Sequence, residues 1–306
     1  MSGYVLRKLL TLPAVLLAVS LLIFLAVRLL PGDPARLIAG PEASSEAVAA
    51  IHDQLGLNRP VAAQYLAFLA HAARGDLGTS IESRRPVVEE LAAHVPFTLA
   101  LGLAAYALAV GLGVPGGILA AAAPGGRWDQ AFSAATILNV SLPSFWVGLM
   151  AMELFAVRLQ WLPLMGAGSP AHIVLPALTL SLAPMGLIGR MTRASMIEIL
   201  GQDYIRTARA KGLAPFAIYA RHALRNALPP IVTIVGLNLG AVIGGAVVTE
   251  SVFGWPGVGR LLVDAVKYRD YPVIQGVTLV AVVAVVIVNL GAEIGIALLD
   301  PRMRRP

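Results

Sequence analysis

The chain has 306 residues, 58% hydrophobic and 13% charged, with 23 Lys and Arg against 17 Asp and Glu for a formal net charge of +6. Soluble domains carry about 25% charged residues, so this composition, with a mean hydropathy of +0.78, excludes an ordinary water-soluble globule. The absence of cysteine excludes disulfides, thiolate metal sites and Cys nucleophiles, and the five scattered His offer no ligand spacing.

Apolar runs near the ~20 residues needed to cross the hydrocarbon core lie at 9–30, 97–123, 131–157, 173–192, 230–250 and 274–299. The first follows Arg7 and Lys8. It is too long for a signal-peptide core and ends in Leu29-Leu30-Pro31 without a small-residue cleavage site, so it reads as a retained anchor. Segment 31–96 holds eight of the 17 acidic residues and is punctuated by "PGDP", "LGLNRP" and "RGDLG". Within it, 43–55 and 61–73 are expected as short helices of a small outer subdomain, too small for a large core of its own.

The later runs carry few chemically useful groups. Ser141 and Ser144 flank Pro143, but no His or Lys lies at comparable depth to activate them. No GxxxxGK[ST], GxSxG or HExxH occurs, which excludes P-loop ATP hydrolysis and the common hydrolase signatures. Glu153, Glu250 and Glu293 sit near the ends of their runs. The middles offer only neutral polar groups, Ser144, Thr179, Ser181 and Asn238, each either a helix–helix hydrogen bond or a candidate lining of a translocation path. Gly236, Gly240 and Gly244 repeat every four residues and are expected to let two helices approach closely.

Residues 203–230, "DYIRTARAKGLAPFAIYARHALRNALPP", are basic yet periodic. Asp203 is expected to start and cap a helix, with Tyr204, Ile205 and Ala208 sharing a face. Gly212 is expected to end it in the left-handed conformation, and Pro215 to begin a second helix. In that second helix Phe216, Ala220, Ala223 and Ala227 are expected on one side, and Arg221, His222 and Arg225 on another. The element is either a basic helix lying on anionic lipid or a docking element for a cytosolic protein; a tight glycine-terminated turn favours docking.

"DYIRTARAKGL…RHALRNALPPIVT" resembles the EAA-type loop of bacterial ABC importer permeases of the dipeptide/oligopeptide family. The resemblance extends through "YVLRKLLTLPAVLLAVSLLIFLAVRLLPGDP", "LPSFWVGLM", "LPALTLSLAP", "RMTRASMIEIL", "VVTESVFGWPGVGRLLVDAVKYRDYPVIQG" and "LLDPR". "PGDPARLIAGPEA", 31–43, is most similar to the permease subunits of glutathione importers. The resemblance implies an all-α polytopic membrane protein of the type I ABC importer permease fold, with about six transmembrane helices and a small helical periplasmic insertion after the first. It divides the chain into 1–30, the N-terminal cytoplasmic end and first span; 31–96, the periplasmic subdomain; 97–300, the core permease domain with five spans and a cytoplasmic coupling loop at 193–229; and 301–306, a cytoplasmic tail.

The implied function is import of dipeptide, oligopeptide or glutathione across the bacterial inner membrane, with nickel chelates or another small solute as the alternative within the family. A stand-alone secondary carrier is the alternative outside it. The chain is not an enzyme and holds no cofactor; ATP and Mg belong to partner ATPase subunits. The implied partners are a second homologous permease chain, two cytosolic ATPase subunits, a periplasmic solute-binding protein and membrane lipid, with no nucleic acid. ATPase coupling falls on Asp203, Tyr204, Ile205, Thr207, Ala208, Arg209, Ala210, Lys211, Gly212 and Leu213, and the small Ala208 is expected to set how closely the helix meets the ATPase.

With the N-terminus inside, thirteen Lys and Arg fall on cytoplasmic segments and four on short outer loops, the asymmetry that fixes orientation. Reporter fusions are therefore expected to place loop 251–273 outside and the C-terminus inside; external labelling of residues 203–229 would invert the topology.

Overall fold

The computed structural model describes residues 2–29, 34–40, 42–54 and 56–299. The expected tail 301–306 and Pro31, Gly32 and Asp33 lie outside the described residues. In lipid, backbone polar groups must be satisfied within a segment, and all regular structure among the described residues is helical, apart from one isolated bridge between Thr79 and Pro86.

Helix α1 (Ser2–Leu29) is followed by three short helices, α2 (Pro34–Ala39), α3 (Ser45–Gln54) and α4 (Val61–Ala73). α5 (Val87–Ala122) begins ten residues before its apolar run. The run 131–157 is broken rather than continuous. α6 (Arg127–Ser141) and α7 (Ser144–Ala151), the latter continued by π-helical Met152–Arg158, are bent by 106° at a break before Pro143. Proline pushes the preceding residue out of the α region, and Leu142 is extended. α8 (Val174–Leu200) then leads to α9 (Asp203–Ala210), a one-turn α10 (Pro215–Ala217), π-helical Ile218–Leu224, α11 (Arg225–Val252), α12 (Val258–Tyr268) and α13 (Tyr271–Leu299). By length and composition three helices among the described residues can each cross a membrane, Val87–Ala122, Pro170–Leu200 and Tyr271–Gly295, or up to five if each bent pair is one span.

The described chain forms two compact units, one of residues 98–255 and 285–299, the other of 2–97 and 256–284. In the second unit, Val87, Leu91, Ala265, Val273, Ile274 and Val277 form the core. Asp270 begins α13 there. Its Oδ1 accepts from the Val273 amide at 3.3 Å, while Oδ2 accepts from Ser80 Oγ at 2.5 Å and the Glu82 amide at 3.2 Å. One buried carboxylate thus caps a helix and holds the loop 80–82 against it.

In the first unit α8 packs against α6, α7 and α11. α5 carries a stripe of every fourth residue, tapering from Leu through Ala to Gly: Leu101, Ala105 and Ala109 share a core cluster with α8, and Gly113 and Gly117 meet α8 directly. A methyl group at Gly113 would lie 2.8 Å from the Met185 carbonyl oxygen. At Gly117 it would meet the Gly189 carbonyl oxygen, with Thr192 Cβ at 2.8 Å. Gly189 in turn passes 3.1 Å from the Gly113 carbonyl oxygen at its own Cβ position. The backbones touch.

The glycines expected to make such a contact behave differently. A methyl at Gly240 would collide with Asn289 Oδ1 of α13, whereas Gly244 has nothing within 4 Å. Gly117→Leu is therefore expected to destabilise the protein by about 1–3 kcal/mol or more through overpacking, Gly240→Leu by a comparable amount, and Gly244→Leu little. Thermal unfolding of purified variants in detergent checks the order.

Candidate functional site

α9 is short, and its ends are specified locally. Gln202, extended, precedes it, so Asp203 is its first helical residue rather than the cap expected from sequence, and no side-chain cap bond forms. The Asp203 carboxylate, which still complements the helix N-terminus, accepts from Arg206 Nη1 at 3.2 Å, and Thr207 Oγ1 donates to the Asp203 carbonyl at 3.1 Å. At the other end Gly212 adopts φ +73°. The Gly212 amide donates to the Arg209 carbonyl at 2.9 Å and the Leu213 amide to that of Ala208 at 3.3 Å, the paired bonds of a Schellman motif. Pro215 opens α10 as expected.

Ile205, fully buried, and Ala208, 8% exposed, anchor α9 in a cluster with Ala121, Met196, Ile218, Ala223, Ala227 and Ile231, and Leu213 packs against it. The two buried residues are three apart, one helical face. Ala208 therefore points into its own chain and does not present the small outward face expected of it. The rest of its surface exposes Tyr204, Thr207, Arg209, Ala210 and Lys211, with Tyr204 at 43%.

The second helix departs from the sequence reading. Phe216 is 83% exposed and Ala220 is also exposed, while Ile218, Ala223, Ala227 and Ile231 are buried. The cause is the π-helical turn at Ile218–Leu224, which places Ile218 and Ala223 five residues apart on one side. A strict 3.6-residue period cannot anticipate that phase shift, and Phe216, like Tyr204, is left exposed.

A frame distant in sequence supports the site. Arg193, near the end of α8, makes a two-pronged ion pair with Asp129 of α6: Nε bonds Oδ1, and Nη2 lies 2.7 Å from Oδ2. The same Oδ2 accepts from the Gly125 amide at 2.8 Å, and Tyr219 reaches the Ala122 carbonyl at 3.4 Å. The turn between α5 and α6 is thereby tied to both sides of α9. The Arg193 guanidinium, then the Gly125 amide, hold the Asp129 carboxyl down at about 2 against an ordinary 3.8, and Asp129 in turn raises Arg193. Sequence reasoning had no signal for this pair beyond its charges.

The candidate path residues lie on α7, α8 and α11, and three of the four bond to carbonyls of their own helices. Thr179 and Ser181, both buried, donate to the Leu175 and Leu178 carbonyls of their own helix at 2.8 and 2.7 Å. Asn238, half-buried, donates to Ile234 at 2.8 Å, and Ser144 is exposed at the start of α7. Glu250, placed near a span end from sequence, is fully buried and accepts from Thr98 Oγ1 at 2.6 Å. No group of three or more His, Cys, Asp or Glu able to hold a metal occurs among the described residues.

Two family models match the chain: "Binding-protein-dependent transport system inner membrane component" over residues 113–305, and the N-terminal component of such systems over residues 1–102. The chain is 46% identical over 305 residues to the glutathione transport system permease protein GsiC of Salmonella choleraesuis, and 44% identical to that of Escherichia coli K12, covering 99% of each chain in both cases. Among solved structures, the inward-facing MetNI methionine ABC transporter matches 69% of this chain and 96% of its own at a TM-score of 0.59 and 22% identity, which speaks for fold alone.

The depressed Asp129 carboxyl gives a pH expectation. A carboxylate held below its unfolded value stabilises the fold above about pH 4, and that contribution is lost as pH falls from about 4 towards 2. Thermal unfolding in detergent is expected to show this loss in the parent, whereas Asp129→Asn starts from a lower midpoint at pH 7 and lacks the Asp129-linked part of the acid decline.

Proposed function

We propose that this chain, which belongs to the family of binding-protein-dependent transport system inner membrane components, is the membrane-spanning permease subunit of an ATP-driven importer whose solute is glutathione or a small peptide. Full-length identity of 44–46% to glutathione transport permeases carries this reading, and the helical fold shared with an ABC transporter chain supports it. The chain is a non-catalytic, multi-pass subunit of the inner membrane with both termini cytoplasmic. It pairs with a second, homologous permease, rests on two cytosolic ATPases that hold ATP and Mg, and receives its solute from a periplasmic binding protein. Residues 31–96 lie on the periplasmic side, and 193–229 form the cytoplasmic coupling loop. Thr179, Ser181, Asn238 and Ser144 remain candidates for the path in the assembled pore.

α9 is the coupling helix, with its two faces divided between tasks. Ile205, Ala208 and Leu213 fasten it to α8 and the π-helical turn, while Tyr204, Thr207, Arg209, Ala210 and Lys211 face the ATPase. Asp203 and Gly212 define its ends. Phe216 adds a second exposed aromatic, and buried aromatics are the commonest energetic anchors of protein interfaces.

Affinity capture of the tagged permease with its ATPases tests the division. Tyr204→Ala with Phe216→Ala is expected to insert normally and lose ATPase subunits, since losing an anchor of about 2 kcal/mol exceeds the tenfold step of about 1.4 kcal/mol. Ala208→Glu is expected to act earlier, lowering the amount of folded permease, because an unpaired charge would enter an apolar cluster. Full retention of ATPase by the aromatic double variant would remove α9 from the interface.

A further inference from the structure

Helix α4 is apolar on every side, yet none of its residues is fully buried. Its sequence, VAAQYLAFLAHAA, has only Gln64 and His71 as polar side chains beside the Tyr65 hydroxyl. Gln64 is already engaged, donating to the Leu57 and Arg59 carbonyls at 2.9 and 2.8 Å and accepting from Arg28. A helix that is hydrophobic all round is one that something covers. Within the chain, α1 covers one side: the Phe24 ring lies 5.2 Å from Tyr65 and 6.0 Å from Phe68. The rest is open, with Val61 at 51% and Leu66 at 65% exposure.

The contacts with α1 also fix a depth. The Tyr65 hydroxyl lies 2.8 Å from Ser20 Oγ and 3.0 Å from the Leu17 carbonyl oxygen. Those residues lie about 12–16 Å along the axis from Arg28 at 1.5 Å per residue, inside the apolar run and below the end of the span. α4 cannot itself cross, since 13 residues rise only about 20 Å against a core of about 30 Å. Polar groups bracket it instead. Asn58 and Asp53 are bonded at 2.6 Å before it, and His71 and Asp76 at 2.9 Å, beside Arg74, close it. Both ends thus carry groups suited to water, while Tyr65 between them contacts residues within the apolar run of α1. Between Ser20 and Arg28, α1 also exposes Leu21, Leu22 and Leu25, so the apolar surface of α4 continues that of a span.

We propose that α4 lies along the membrane boundary where α1 ends, in the manner of interfacial helices, with Val61 and Leu66 covered by lipid acyl chains. Segment 31–96 is then not wholly aqueous: its third helix is a lipid-contact surface tied to α1 through Tyr65. This rests on α1 being a span and not on which solute is carried.

The cysteine-free sequence permits single-site labelling. Leu66→Cys, Val61→Cys and, as an aqueous reference, Ser83→Cys would each be labelled with the fluorophore NBD in the intact importer reconstituted into phosphatidylcholine vesicles. Probes at 66 and 61 are expected to be quenched severalfold more by dibrominated phosphatidylcholine than by iodide, with the opposite ranking at 83. Iodide quenching at 66 and 61 equal to that at 83 would place α4 in water. Protection from both quenchers would show that a partner protein covers it. Either result overturns the proposal, and normal ATPase retention in the same samples keeps it separate from the coupling assignment.

Discussion

The first unit depends on one steric constraint: α5 and α8 touch backbone to backbone where Gly113, Gly117 and Gly189 leave no side chain between them. Between apolar helices in lipid there is little hydrophobic drive to associate, so close van der Waals packing carries much of the attraction. The taper from Leu101 to Gly117 is the form this takes along α5. Phe132 is the complement. Its ring occupies the room beside Gly116 and Gly189, with Cε2 at 2.6 Å and Cζ at 2.5 Å from the positions a methyl would take. A third helix, α6, is thus registered on the same seam.

The seam bears on the proposed function because α8 leads from it towards the proposed coupling helix α9. Beyond Gly189 the same helix carries Arg193, paired to Asp129, and Met196, buried against the anchor of α9. A load applied to α9 meets a short helix pinned at Ile205 and Ala208 and a long helix with little slack. Well-packed interiors transmit displacement rather than absorb it, which suits the role proposed above for this chain.

Much of the local architecture was legible in the sequence because it is decided within a few residues. Gly212 and Pro215 specify the turn after α9 whatever surrounds it, and α4 appears at the span its composition implies. What was not legible depends on contacts distant along the chain. "GVPGG" displays the 113–117 spacing, but only α8 shows that these glycines, rather than Gly244, need to be small. Asp129 and Arg193 are 64 residues apart, and nothing near either announces the other. Ala208 turns into a cluster that includes Met196 of α8, and Phe216 parts from Ala223 and Ala227 because the following turn is wider than an α-turn.

That wide turn also makes the joint tolerant of length. A π-helical turn holds one residue more than the α-turn it replaces, and Ile218 and Ala223 straddle it. Removing one residue between them would leave a four-residue spacing that an ordinary α-helix serves, with Ala227 and Ile231 still facing inward. The same deletion within α9 would carry Ile205 or Ala208 about a quarter-turn or more out of register, with no spare residue to take up the difference. The joint downstream can gain or lose a step. The helix it adjoins cannot.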